Sequence, residues 1–89
     1  MAYVIVLAPR FDEILKKLKN KDSVLLKRLE KQVGKVIREP SLGKPLKNVL
    51  RNYRRVHIDP FVLIYEIQNN EIRLLDFDHH DNIYKKFIS

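Results

Sequence analysis

The residue types best suited to chemistry fall in one stretch, from Tyr53 to Tyr84. Tyr53, Arg55 and His57 alternate along a β-rich run, and successive side chains of a strand point to opposite faces, so all three share one face. Each alone reads as a solvated strand residue. As a group they combine a directed cation that holds phosphate, a ring on which a base stacks, and an imidazole that moves protons near neutral pH. His79 and His80, flanked by Asp76, Asp78 and Asp81, raise the question of a metal. Adjacent histidines on a strand diverge, alternation sends Asp76 and Asp78 away from His79, and the spacing lacks the i, i+4 pair of a hydrolytic zinc motif. No metal site is therefore expected. Tyr84, within DNIYKKF, has the amphipathic character of an anchor that packs the tail on a sheet.

The elements that position these residues follow from pattern. Tyr53 to Ile58, Phe61 to Ile67 and Glu71 to Asp78 are β-rich runs, separated by Asp59-Pro60 and Asn69-Asn70. Two-residue separators of those types read as consecutive hairpin turns, giving an antiparallel meander. One face carries Val56, Ile58, Phe61, Leu63, Tyr65, Ile67, Ile72 and Leu74, enough apolar area for a core. The other is mixed, with Tyr53, Arg55, His57, Val62, Ile64, Glu66, Arg73, Leu75 and Phe77, and Glu66 opposite Arg73 predicts a cross-strand ion pair.

Upstream, Tyr3 to Leu7 is almost uniformly apolar, which suits a strand covered on both sides or lying inside a sheet. Pro9 opens a helix whose apolar positions are Phe11, Ile14, Leu15 and Leu18, ending near Asn20. Asp22 and Ser23 offer a cap for a second helix with a stripe of Leu25, Leu26, Leu29, Val33, Val36 and Ile37 that stops at Glu39-Pro40. Pro40 to Asn52 reads as a loop. The expectation is one α+β domain over residues 1–89: an N-terminal strand, an αα-hairpin, then a three-stranded antiparallel meander packed on the helices.

Composition narrows the partners. Lys plus Arg outnumber Asp plus Glu by 18 to 11 in 89 residues, a formal charge of +7, so the chain attracts polyanions through a salt-sensitive field. Nucleic acid, the ribosome or an acidic protein fit that field. The absence of cysteine excludes a disulfide framework, a thiolate zinc site and a cysteine nucleophile. The apolar run at Ala2 to Ala8 is too short for a signal-peptide core or a membrane span, so the expected setting is cytoplasmic, without a membrane. No P-loop, glycine-rich dinucleotide turn or Ser/His/Asp context is present, and no cofactor is expected.

The segment YRRVHIDPFVLIYEI, a third strand and then HHDNIYKK resembles the RelE/ParE toxin superfamily in its RelE branch, over nearly the whole chain. The resemblance implies a RelE-like fold, two N-terminal helices on a sheet whose first strand lies beside later ones. It also implies the toxin of a type II toxin-antitoxin pair: a ribosome-dependent mRNA interferase, neutralised by a RelB-like acidic antitoxin, with operator DNA bound only as the toxin-antitoxin complex.

By the same resemblance, Arg55 and His57 lie where basic residues contact the scissile phosphate, and Tyr84 at the tyrosine that stacks on or orients the nucleotide. The positions that hold arginine in the family are Val62 and His80 here. Cleavage by a 2′-OH on its own 3′ phosphate needs a base, an acid and stabilisation of the phosphorane. His57 or His80 supplies the first two, and Arg55 the third. Lys44, Lys47, Arg51, Arg54, Lys85 and Lys86 are the further candidates for contacts to RNA or ribosome. Two other readings stay open: a ParE-like inhibitor of DNA gyrase without nuclease chemistry, and an interaction module that has lost toxicity.

Overall fold

The computed structural model describes residues 3–46 and 52–88. Strand β1 (Val4–Leu7) leads into α1 (Pro9–Lys21) and α2 (Ser23–Arg38). A 3-10 turn at Pro40–Leu42 precedes the short β2 (Lys44–Pro45); then come β3 (Tyr53–Ile58), β4 (Phe61–Gln68) and β5 (Glu71–His79). A final helix α3 (His80–Ile83) continues as a wider π-helical turn, Tyr84–Ile88. The α+β architecture is the expected one, as are both helices and the meander.

Local chemistry explains the helices. Pro9 stands in the first turn of α1, where its missing N–H costs no hydrogen bond, and Asp12 complements the positive end of the helix. Asp22 caps α2 by accepting from the Leu25 amide at 3.0 Å. The two apolar stripes meet the sheet: Phe11, Leu25, Leu29 and Val36 pack with Ile58, Leu63, Tyr65, Ile72 and Leu74 in one buried core. Val56, Phe61 and Ile67 border it, so the face expected to be apolar is the core face.

The sheet order is β1-β5-β4-β3-β2, with β1 parallel to β5 and the other pairs antiparallel. The first strand is therefore an edge, not the interior or doubly covered strand its composition suggested, and Val4 and Leu7 remain 51% and 42% exposed. An unbroken apolar run serves equally an interior strand and an edge whose side chains line a groove. Here Ile5 and Leu7 do the latter. The expected loop after Pro40 contains β2, which pairs Lys44 with Arg55 and Pro45 with Arg54; an edge position tolerates the proline, which cannot donate to a ladder.

A bulge corrects the predicted faces of β5. Ile64 pairs with Asp76 but Tyr65 with Leu74, leaving Leu75 as the extra residue. Phe77 is thereby turned from the mixed face into the core, 5.3 Å from the Phe61 ring, while Asp76 and Asp78 come onto the face beside Ile64 and Val62. Nor is that face open. Ile83 of α3, with Leu46, Val62 and Ile64, makes a second small core bordered by Tyr53, Leu75 and Phe87. Glu66 does face Arg73 across the ladder, but the guanidinium pairs with Glu71, 3.0 Å away on its own strand.

Tyr65 ties the segment after α2 to the sheet. Its buried hydroxyl donates to the Pro40 carbonyl at 2.6 Å and accepts from the Gly43 amide at 2.8 Å. Burial raises its pKa, an effect partly offset by the Gly43 amide and by Arg54. Glycine is required at 43 because a Cβ there would stand 2.7 Å from the Tyr65 hydroxyl and 2.9 Å from the Arg55 carbonyl oxygen. Tyr65→Phe strands the buried Gly43 amide and the partly buried Pro40 carbonyl and should cost about 1–3 kcal/mol in chemical denaturation.

Candidate functional site

The site is built where the C-terminal helix crosses the second face of the sheet. Asp76 is only 4% exposed. One of its carboxylate oxygens accepts from the Phe77 amide at 2.8 Å and from Arg10 Nε at 3.3 Å; the other accepts from Lys86 Nζ at 2.7 Å. Asp78 extends the network through Lys86 at 3.2 Å and Arg10 at 3.5 Å. Burial pushes the Asp78 carboxyl up, but hydrogen bonds from Asn82, the His79 amide and Lys86 outweigh it and hold the pKa below its ordinary value. The network and the buried Ile83 fix α3, and the helical turn then presents Tyr84 outward, 39% exposed, rather than as the buried anchor its surroundings suggested.

Beneath Tyr84 lies Arg55, with its guanidinium carbon 6.0 Å from the ring centroid. Arg55 Nε is buried and has no hydrogen-bond partner among the described residues, so a desolvated, directed donor is held ready for an acceptor. Lys44 stands directly opposite Arg55 in the β2–β3 ladder. Directly opposed like charges repel, and no carboxylate among the described residues pairs with either cation. An anion placed between them relieves that repulsion.

His80 opens α3 with its ring 6.2 Å from that of Tyr84. The expected divergence of the two histidines does not occur, because the strand ends at His79 and the helix starts at His80, which brings their rings to 4.4 Å. His79, His80 and Asp81 place ligand-type atoms within 4.8 Å of one another. These atoms already serve the helix start: His79 Nδ1 accepts from the Asp81 amide at 3.2 Å and His80 Nδ1 lies 2.9 Å from the Asp81 carboxylate.

The structure thus brings Arg55, Tyr84 and His80 together and adds Lys44. His57 is exposed two residues beyond Arg55, opposite Val62, and lines a separate pocket towards α2. Arg54 is turned to the other face, donating to the Gly43 and Ser41 carbonyls at 2.6 and 3.4 Å. Lys86 is engaged by Asp76 and Asp78, and Lys85 is exposed on the last turn. Lys47 and Arg51 lie outside the described residues. Val62 is 1% exposed in the apolar floor beneath α3. Sequence reasoning missed Arg10 and the two aspartates as the clamp on the tail; the signal available was an acid-rich strand end followed seven to ten residues later by lysines.

A family profile described as ParE toxin of type II toxin-antitoxin system, parDE, matches residues 5–84. A curated protein of Methanocaldococcus jannaschii bearing the toxin name RelE4 is 41% identical over 87 residues, covering 94% of this chain and 93% of its own. Among solved structures, the YoeB dimer from Staphylococcus aureus shares the fold with a TM-score of 0.76 at 23% identity, over 90% of this chain and 99% of that one. A chain of the Escherichia coli DinJ-YafQ toxin-antitoxin complex does so with a TM-score of 0.78 at 16% identity, over 94% and 99%.

The clamp makes the tail acid-sensitive. Because the folded-state pKa of Asp78 lies below its ordinary 3.8, its stabilising contribution is complete above that value and is lost as pH falls through the lowered one. Thermal melts followed by circular dichroism should show a steeper fall of Tm below pH 3.8 in the native chain than in Asp78→Asn.

Proposed function

The chain belongs to the ParE toxin family of type II toxin-antitoxin systems, and from that premise we propose that it is a ribosome-dependent mRNA endoribonuclease neutralised by an acidic, RelB-like antitoxin. The observation that carries the reading is Arg55, with its buried unpaired Nε, lying under Tyr84 and opposite Lys44. Two cations hold the non-bridging oxygens of one phosphate and Tyr84 stacks on the adjoining base. The RNA 2′-OH gives its proton to a base and attacks phosphorus; the bond to the 5′ oxygen breaks, and that oxygen takes a proton from an acid, leaving a 2′,3′-cyclic phosphate. His80, beside Tyr84, and His57, on the strand of Arg55, are the imidazoles for those transfers. The ribosome supplies in-line geometry by presenting the message in a fixed shape, so free RNA is a poor substrate.

Primer extension on messages from cells induced to make the chain tests this reading. New 5′ ends inside translated messages support it. Arg55→Ala should lower cleavage by a transition-state loss of about 2–4 kcal/mol with Tm and antitoxin affinity nearly unchanged, Tyr84→Ala should do so more mildly, and Glu66→Ala should not. Val62, apolar where the family carries arginine, favours a second reading, a gyrase inhibitor without nuclease chemistry. Intact messages accompanied by broken or relaxed DNA would establish that alternative, and absence of growth arrest would leave an inactive interaction module.

The antitoxin has a place to dock. A groove of about 470 Å³ runs between α1, α2 and β1, lined by Ile5, Leu7, Phe11, Leu26, Val33 and Ile37, with Lys16 and Lys19 contributing positive charge. An apolar floor with cationic borders suits an acidic amphipathic helix. Ile37→Glu should weaken binding of an acidic, RelB-like antitoxin at least tenfold by calorimetry, while cleavage stays at the native level.

A further inference from the structure

One side of α2 is strongly cationic. Its sixteen residues carry Lys27, Arg28, Lys31, Lys35 and Arg38 against one acid, Glu30. Lys27, Lys31 and Lys35 follow one another at i, i+4, a spacing at which like charges destabilise a helix. Among the described residues none of these five cations makes an ion pair. Arg28 donates only to a backbone carbonyl, that of Asp59, at 3.0 Å, which draws the helix towards the end of β3. Between them lies a pocket of about 370 Å³ lined by Arg28, Lys31, Gln32, Lys35, His57 and Asp59.

We propose that this pocket between α2 and the end of β3 is a second phosphate-binding site, which holds the RNA backbone beside the reaction centre. The inference rests on the nuclease reading for its biological setting, but not for its chemistry. RNA is favoured over an acidic protein by continuity and by separation. His57 follows Arg55 by two residues on one strand, so a nucleotide chain lying across Arg55 and Tyr84 passes His57 and enters the pocket. The apolar groove instead takes Leu26, Glu30, Val33 and Ile37 from the other flank of α2, leaving the cationic flank free when a protein occupies the groove.

The test uses a short single-stranded 2′-O-methyl RNA, which lacks the attacking hydroxyl and so reports binding alone, titrated with the full chain by fluorescence anisotropy over a range of salt. The double variant Lys31→Ala, Lys35→Ala replaces exposed helix residues with the best helix former, so folding is retained. Its affinity should fall about tenfold, and the slope of log K against log salt should shrink by about 1.4, at about 0.7 for each lost phosphate contact. Affinity for the acidic partner should be unchanged. Unaltered RNA affinity and slope would overturn the proposal, as would native chain that does not bind this RNA, or a variant that loses the acidic partner instead. A native chain that binds in this Lys31- and Lys35-dependent way yet cleaves no message supports the pocket and overturns only the nuclease reading.

Discussion

A carboxylate removed from water must be compensated or it destabilises the fold by several kcal/mol, and the arrangement around Asp76 follows from that constraint. The bulge in β5 places Asp76 on the second face. Its three donors come from three parts of the chain: the start of α1, its own strand and the C-terminal helix. A single buried charge therefore joins the helical hairpin, the sheet and the tail. Apolar contacts of Ile83 and Phe87 would hold the tail against the sheet in several rotations; the directed bond from Lys86 selects the one that carries Tyr84 over Arg55.

The same logic explains why the site combines stability with unsatisfied charge. Asp76, Asp78, Arg10 and Lys86 neutralise one another beneath the tail. Among the described residues no carboxylate pairs with Arg55, Lys44 or the cations of α2, although Asp59 lines the pocket that Arg28, Lys31 and Lys35 share. Asp76 and Asp78 stand on β5, whereas Arg55 and Lys44 stand on β3 and β2 and the remaining cations on α2, so paired and unpaired charges are carried by different elements.

Much of this was legible in the sequence because it depends on local periodicity. The helix caps, the two-residue turns and the apolar face of the meander each follow from neighbouring residues, and Arg55 and His57 share a strand face by alternation alone. What escaped was whatever depends on an exception to periodicity or on distant pairing. The bulge at Leu75 exchanges Phe77 for Asp76, and no residue type marks it. The ending of β5 at His79 brings two histidines together that a longer strand would part. The placement of Lys44 opposite Arg55 needs a two-residue strand too short to give a pattern. An edge strand with an apolar exterior looks interior until the groove it borders is known.

That edge strand also bears on the order in which the molecule can be assembled. Helices α1 and α2 form from contacts close in sequence, but β1 can settle only once β5 exists, since Val4 pairs with Glu71 and Leu7 with Leu74. Such long-range pairing slows folding because loop closure precedes its reward. Ile5 and Leu7 form one wall of the apolar groove, so the groove has no complete shape in a nascent or half-folded chain. A binding partner that reads this wall recognises completion of the fold, and its grip is reserved for molecules already capable of harm.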